Sequence, residues 1–291
     1  MPERIGVIGL GVMGSAMSRS LLGAGHKVSG HDIDQEKESA AAAMGVTIFS
    51  SAGALAESSD LLVLSLPSIS SLAEVSAEIA EQAPTGLICL ETGTFPLAAK
   101  FAARNVLSEA SVELLDTPLS GTGLQAEEGT LVVFASGNQE DCERAAPVFE
   151  SIGRSTHYLG EFGNGSRMKY IANLLVAVHN LATAEAHVLG MAAGMDPALV
   201  QKVMEDGVGS SKIFEIRGPM MVSDDYPAAA RLDIIMKDGR LIKDFAEGSG
   251  ALTPLLDAAL PVYAASSEAG LGDLDAAALC RYLEKQSGIT R

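Results

Sequence analysis

A glycine-rich turn near the start of the chain has the spacing of a phosphate-binding loop. The segment "GLGVMG" follows a short apolar run and precedes apolar residues at four-residue spacing. In that context Gly9 permits the turn, Gly11 lets the backbone approach a pyrophosphate, and Gly14 lets a helix pack on a sheet. The other residues of the predicted cofactor loop are Leu10, Val12 and Met13. A tight strand-to-helix turn uses the same small residues, so the pattern is weak by itself.

An acidic residue at the end of the next strand-like run strengthens this interpretation. Asp32, in "KVSGHDIDQ", lies 18 residues past Gly14, where a carboxylate can accept hydrogen bonds from ribose hydroxyls. The same carboxylate repels a 2′-phosphate, and no arginine follows it closely, so NAD is favoured over NADP. The alternative role for Asp32 is that of an ordinary helix cap or turn residue.

A lysine and an asparagine lie four residues apart in "GNGSRMKYIAN", at the head of a long apolar segment. Residues at this spacing share one face of a helix, so Lys169 and Asn173 form a polar stripe that Asn180 continues. The default interpretation of Lys169 is a surface lysine whose stem covers apolar neighbours. A cation in the first turn opposes the helix dipole, however, and a functional role would explain that cost.

The elements that must position these residues fall into two regions. Strand-like and helical segments alternate to about residue 160, which predicts βαβ units around a mainly parallel sheet. After Gly165 the strand signals disappear, and Ser166 to Leu189 contains neither Gly nor Pro. We therefore predict an α/β chain with a Rossmann-type NAD-binding domain over residues 1–163. An all-helical substrate and dimerisation domain over residues 164–291 follows, entered by a long interdomain helix.

Composition and charge exclude several classes of function. The chain has 291 residues and a net charge of -17, from 20 basic and 37 acidic side chains. Because no broad basic field is available, neither nucleic acid nor an anionic membrane is an expected partner. The first residues show no leader pattern and no apolar run reaches about 18 residues, which predicts a cytoplasmic protein. No metal site is expected, and three widely spaced cysteines are interpreted as structural: Cys89, Cys142 and Cys280.

Ordered segments along nearly the whole chain resemble the β-hydroxyacid dehydrogenase family. This family includes 3-hydroxyisobutyrate dehydrogenase, tartronate semialdehyde reductase and the shorter relatives of 6-phosphogluconate dehydrogenase. The segments are "IGLGVMGSAMSRSLLGAGH", "SLPS", "ETGTFP", "DTPLSGTGLQAEEGTL", "GNGSRMKYIAN" and "MKDGRL". The resemblance implies an NAD-dependent enzyme that oxidises a small β-hydroxyacid to a semialdehyde or ketone, or catalyses the reverse reduction.

The resemblance also assigns roles to individual residues. It implies that Lys169 is the general acid/base, with Asn173 beside it. The implied substrate contacts are Ser120, Gly121, Thr122 and Lys237. The implied cofactor contacts beyond the glycine loop and Asp32 are Leu66, Pro67, Thr94 and Lys237. Relatives associate through their helical domains, so a homodimer or homotetramer is expected.

The chain departs from its relatives beside the predicted substrate carboxylate. Thr122 and Gln125 stand at two positions where the family commonly has glycine, which puts the substrate's identity in question but not the reaction class. Two other functions stay open. Imine reductases share the two-domain layout, although their lysine position is typically another residue, and some relatives resemble non-catalytic dinucleotide-binding partner proteins.

Overall fold

The structure is a computed structural model that describes residues 4–290. The chain divides into two compact units, with the division between Lys169 and Tyr170. The predicted domain boundary lay between residues 163 and 164, and the predicted domain ends at residues 1 and 291 lie outside the described residues. All strands of the described chain belong to the first unit, whereas the second unit is helical.

A six-stranded parallel sheet forms the centre of the first unit. Its strands are β1 (Ile5–Ile8), β2 (Val28–His31), β3 (Thr47–Ile48), β4 (Leu61–Leu64), β5 (Ile88–Glu91) and β6 (Glu113–Asp116). They lie side by side in the order β3-β2-β1-β4-β5-β6. Alternate residues of β4 belong to different hydrophobic clusters, so both faces of this sheet are covered. The mainly parallel sheet predicted from the alternation of strand-like and helical segments is confirmed.

Helices surround this sheet. They are α1 (Val12–Gly23), α2 (Gln35–Ala43), α3 (Ala52–Glu57), α4 (Ile69–Gln82), α5 (Leu97–Glu109), α6 (Gly123–Glu127), α7 (Gln139–Arg144) and α8 (Ala146–Ile152). A second, three-stranded sheet completes the first unit, with β7 (Leu119–Ser120), β8 (Leu131–Ala135) and β9 (Gly153–Tyr158). In this sheet β7 and β8 are antiparallel, whereas β8 and β9 are parallel.

The second unit is made of helices, as predicted. They are α9 (Asn164–Ala192), which begins in the first unit, α10 (Pro197–Glu205), α11 (Lys212–Ser223), α12 (Leu232–Ser249), α13 (Pro254–Ser266) and α14 (Leu279–Gln286). Two shorter helical turns lie at Ser267–Leu271 and Ala276–Ala278. Asp196 and Pro197 start α10: the Asp196 side chain accepts a hydrogen bond from the Ala198 N–H, and Pro197 is the first helical residue.

By length and composition alone, α9 could cross a membrane. Polar residues interrupt its apolar run, so it holds no uninterrupted run of about 18 apolar residues. Two of those residues are fully buried within the second unit: Asn180 donates to Ala276 O at 2.9 Å, and His187 lies 3.0 Å from Gln201 Oε1. These internal hydrogen bonds are those of a core helix.

Candidate active site

The carboxyl edge of the parallel sheet collects most of the predicted cofactor residues. The glycine loop follows β1, Asp32 follows β2, Leu66 and Pro67 follow β4, and Thr94 follows β5. Because β1 lies between β2 and β4, the strand order reverses at this point. Open α/β sheets bind their ligands in the crevice beside such a reversal. The fold therefore brings these residues to one edge of the first unit.

The glycine loop packs closely against the protein at Gly9 and Gly14 but leaves free space at Gly11. Gly9 has a φ of +90°, and a Cβ there would meet the carbonyl oxygen of Ser65. A Cβ on Gly14 would meet the carbonyl oxygen of Gly9. Gly11, by contrast, has no atom within 4 Å of its Cβ position. The protein's own packing requires Gly9 and Gly14, and the space at Gly11 fits a closely approaching pyrophosphate.

Asp32 fixes the glycine loop in addition to its predicted contact with ribose. Its Oδ2 accepts a hydrogen bond from the Leu10 N–H at 2.7 Å, and its Oδ1 accepts one from the Asp34 N–H at 2.9 Å. The helix cap proposed as an alternative role belongs to Asp34, which accepts from the Glu36 N–H at the start of α2. Since each carboxylate oxygen has two lone pairs, Asp32 can also hold ribose hydroxyls.

The other predicted cofactor residues differ in exposure. Leu10 is buried in the core, whereas Val12 is 78% exposed. Pro67 is exposed. The half-buried side chains are those of Met13, Leu66 and Thr94.

The predicted substrate segment lies beside the glycine loop. Ser120 ends β7, Gly121 has a φ of +143°, and Thr122 precedes α6. Helix α6 packs against α1, and a Cβ on Gly123 would meet Val12 Cγ1 at 2.8 Å. Two segments that are far apart in sequence are thus neighbours in the first unit.

The two residues at which this chain departs from the family pattern contact each other. Gln125 Oε1 accepts a hydrogen bond from the Thr122 N–H at 3.0 Å and lies 3.4 Å from Thr122 Oγ1. This arrangement caps the start of α6. The Thr122 N–H is therefore used within the protein, which leaves the implied substrate-binding turn at Ser120 and Gly121 with one backbone donor fewer for a carboxylate.

Replacing Gln125 by alanine releases that N–H. We expect the KM for a hydroxyacid to fall about three- to tenfold with kcat nearly unchanged, because one hydrogen bond to a carboxylate is gained while a helix cap is lost. Steady-state kinetics measure the change. Gln139→Ala, which removes a surface contact to Glu143, is the matched control. A higher KM in Gln125→Ala alone would contradict the idea that the Thr122 N–H competes for substrate.

Lys169 lies in the second turn of α9. The helix begins at Asn164, so Lys169 is its sixth residue, and its side chain is half-buried. The prediction of a first-turn cation was wrong, and because the dipole effect falls off within the first turn, it gives no argument for function. The spacing to Asn173 is retained, one helical turn further along.

Asn173 is held by a carboxylate of the second unit. Its Nδ2 donates to Asp238 Oδ2 at 2.8 Å, and Asp238 Oδ1 lies 3.0 Å from the Nζ of Lys237. Asn173 and Asp238 are buried, whereas the Lys237 side chain is 55% exposed. The bond to Asp238 fixes the orientation of the Asn173 amide, which has a second N–H and an acceptor oxygen for other partners. The structure thus links Asn173 to Lys237 through Asp238.

Asn180 does not extend this polar stripe towards a ligand. Its Nδ2 donates to Tyr263 Oη at 3.0 Å and to Ala276 O, both within the second unit. Burial raises the pKa of Tyr263 to about 12, so this phenol stays protonated. Asn180 is a core residue whose hydrogen bonds lie within the second unit.

Lys100 is a fully buried cation that no motif in the sequence identifies. Lys100 in α5 has no exposed side-chain surface, and its Nζ lies 2.5 Å from Glu91 Oε2 and 2.7 Å from Asp116 Oδ1. It also donates to Gly93 O at 2.8 Å, so its three N–H groups face three acceptors. Although burial opposes the charged form, the attraction of Glu91 and Asp116 raises the pKa of Lys100, which keeps its proton.

A dinucleotide-binding protein is the class that this sheet edge and its loops define. Comparison with known proteins places the chain more narrowly. Residues 4–160 match the family profile described as "NAD binding domain of 6-phosphogluconate dehydrogenase". Residues 163–283 match the profile "NAD-binding of NADP-dependent 3-hydroxyisobutyrate dehydrogenase". The chain belongs to the β-hydroxyacid dehydrogenase family and is an NAD-binding oxidoreductase. The family and the cofactor predicted from the sequence are thereby confirmed.

Individual relatives agree with this assignment. The chain is 32% identical to L-threonate dehydrogenase of Escherichia coli strain K12, over 98% of this chain and 95% of that protein. The solved 3-hydroxyisobutyrate dehydrogenase of Mycobacterium tuberculosis, with L-serine, is 28% identical, with a TM-score of 0.89 over 97% of this chain and 99% of that one. An imine reductase of Myxococcus stipitatus is 18% identical, with a TM-score of 0.63 over 97% of this chain and 100% of that one, and shares the fold alone.

Proposed function

We propose that the protein oxidises a small β-hydroxyacid to its semialdehyde or ketone with NAD, or catalyses the reverse reduction. The observation that carries this proposal is the arrangement on α9, where Lys169 precedes Asn173 by one turn and Asp238 holds Asn173 by a 2.8 Å hydrogen bond. We assign cofactor binding to residues 1–163 and the helical substrate and dimerisation region to residues 164–291.

Each predicted site residue has a separate role in this reaction. A bound NAD would supply the acceptor for the hydride that leaves the alcohol carbon of the substrate. Lys169 takes the hydroxyl proton during oxidation and returns it to the carbonyl oxygen during reduction. Asn173 holds the same oxygen through its amide, and Asp238 prevents that amide from rotating. The glycine loop holds the pyrophosphate and Asp32 the ribose. Leu66, Pro67 and Thr94 line the nicotinamide side.

The substrate is a short acid that carries a further polar group. Ser120 and the Gly121 turn hold its carboxylate, and Thr122 adds a methyl and a hydroxyl group beside them. Lys237, paired with Asp238, contributes positive charge near Asn173. L-threonate and L-serine, which appear in the names of two relatives, have this character.

A panel of β-hydroxyacids tests the proposal. Wild-type protein is mixed with NAD and each acid, and NADH formation is followed by its absorbance; 3-hydroxyisobutyrate, glycerate, L-threonate and L-serine form the first set. We expect turnover of at least one member, with NAD preferred over NADP because Asp32 repels a 2′-phosphate. NADH binding without turnover of any acid would instead support the non-catalytic partner protein.

We also propose a cytoplasmic homodimer or homotetramer. The support is a set of large apolar side chains that are exposed on α9 and α10: Ile171, Leu175, Leu189, Leu199 and Val203. Apolar surface of this kind is commonly covered by association. Sedimentation measurements on the wild type determine the number of subunits.

A further inference from the structure

The first turn of α9 is attached to β6 and β8 by side chains that are distant in sequence. Asp116 Oδ2 accepts a hydrogen bond from the Ser166 N–H at 2.7 Å, and its Oδ1 accepts one from Ser166 Oγ at 2.7 Å. Ser136 Oγ accepts from the Gly165 N–H at 2.9 Å and lies 3.2 Å from Asp116 Oδ2. The first N–H groups of a helix have no partner within it, so Asp116 and Ser136 cap α9.

The backbone of α9 at Gly165 lies very close to the segment that contains Asp116 and Pro118. A Cβ on Gly165 would meet the Asp116 carbonyl oxygen at 2.6 Å and Pro118 Cδ at 3.0 Å, so only glycine allows α9 to begin here. Asp116 and Ser166 are almost fully buried. Lys169 follows Ser166 by three residues and lies in the next turn of the same helix. The position of its backbone is therefore set by contacts made at Gly165 and Ser166.

The same buried cluster holds the loop that carries Thr94. Lys100 Nζ donates to Asp116 Oδ1 at 2.7 Å and to Gly93 O at 2.8 Å. Glu91, the third member, accepts a hydrogen bond from the Gly93 N–H at 2.8 Å through its Oε1. One ammonium group thus contacts both the carboxylate that caps α9 and the residue before Thr94.

We propose that Lys100 and Asp116 are positioning residues, which set the start of α9, and with it Lys169, relative to the loop that carries Thr94. This inference rests on the proposed function, in which Lys169 moves the proton and Thr94 lies on the nicotinamide side. The side chains of Lys100 and Asp116 are both fully buried, so neither is open to a substrate or cofactor. They act on the distance between Lys169 and the substrate hydroxyl group whose proton it takes, to which rates are sensitive.

A purely structural role explains the cluster less well. Desolvating two carboxylates and an ammonium group offsets most of what their attraction contributes, so apolar residues of equal size commonly stabilise a core as well or better. Burial accordingly raises the pKa of Glu91, against the opposing effect of Lys100. What an ion cluster provides and an apolar core does not is a fixed set of directional hydrogen bonds between three backbone segments.

Ser166→Ala is the central test, because it removes one bond to Asp116 and leaves the Ser166 N–H in place. We expect kcat to fall about tenfold, with KM, the NADH Kd and Tm nearly unchanged, since the proton acceptor is displaced while the binding residues remain. The matched control is Ser76→Ala, which removes a fully buried hydroxyl that has no hydrogen-bond partner in the described structure. Ser166→Thr, which keeps the hydroxyl, is expected to restore kcat.

Lys100→Met extends the test to the cation. We expect a larger loss of kcat, about 100-fold, together with weaker NADH binding because the loop at Gly93 is released. Hydrogen exchange of amides 165–169 is expected to accelerate in both Ser166→Ala and Lys100→Met, but not in Ser76→Ala. If Lys100→Met does not fold, the serine variants decide the question.

The outcomes separate the two proposals. An active wild type with unchanged kcat and unchanged exchange in Ser166→Ala would overturn the positioning role and leave the proposed function standing. A wild type without turnover on any acid would overturn the proposed function, and the positioning role with it. Equal losses of kcat in Ser76→Ala and Ser166→Ala would also overturn the positioning role, because they would reflect general loosening of the core.

Discussion

Replacing Lys169 by alanine is expected to lower kcat by about 10²–10⁴-fold, the range that a positioned general acid/base contributes. NADH binding should stay within about twofold of wild type, because the glycine loop and Asp32 do not depend on this side chain. Substrate turnover is measured by NADH formation and cofactor affinity by fluorescence titration. The combination of lost turnover and retained binding is what distinguishes proton transfer from a role in folding.

Two further variants separate the charge of Lys169 from its ability to exchange a proton. Lys169→Arg keeps a cation but holds its proton too firmly to exchange it, so it should be nearly as inactive as alanine. Lys202→Ala, on an exposed position of α10, removes a lysine without a predicted role and should leave kcat unchanged. Lys169→Ala with most of the wild-type kcat would remove Lys169 from the mechanism.

Several features were predictable because local sequence determines them. The apolar runs of β1, β4 and β5 predict strands that are buried on both faces, and their alternation with helical patterns predicts a parallel sheet. Parallel strands present their carboxyl ends at one edge, so the neighbourhood of the glycine loop and Asp32 follows from topology. The long helix after Gly165 follows from the absence of Gly and Pro.

The buried cluster was missed because it depends on three segments that meet only in the folded chain. A signal was nevertheless present in α5, where Lys100, Ala103 and Leu107 lie at the spacing of one helical face and are all buried. Glu91 and Asp116 likewise end apolar strands, at positions where a buried carboxylate needs a partner. Three charged residues at buried positions together indicate an ion cluster, which no single one of them does.

Other side-chain contacts could not be read from periodicity. Gln125 and Thr122 looked like independent departures from the family pattern, yet the Gln125 side chain accepts a hydrogen bond from the Thr122 N–H. Asn180 shares a helix with Asn173, but the partners that decide its role, Tyr263 and Ala276, come from the far end of the chain. A polar residue on a helix is assigned to a site or to the core by tertiary neighbours, and sequence spacing does not identify them.

Replacing Gly11 by alanine is expected to weaken NADH binding without changing the stability of the fold. Gly11→Ala places a methyl group where no protein atom lies within 4 Å, at a backbone φ of -68° that alanine adopts freely. Its Tm should equal that of wild type. The NADH Kd, however, should rise about 100-fold, because the methyl group occupies space that the pyrophosphate needs. Isothermal titration calorimetry and thermal unfolding measure the two quantities on the same sample.

Gly14 and Gly23, both in α1, provide the contrast. A Cβ on Gly14 meets the backbone carbonyl of Gly9, which cannot rotate away, so Gly14→Ala should lower both Tm and NADH affinity. Gly23→Ala meets nothing within 4 Å and should stabilise α1 by about 0.5–1 kcal/mol with the NADH Kd unchanged. Only a cofactor in the loop separates Gly11 from Gly23, since both positions are open in the protein. If Gly11→Ala bound NADH as tightly as Gly23→Ala, the pyrophosphate would have to lie elsewhere, and the loop would be a packing turn.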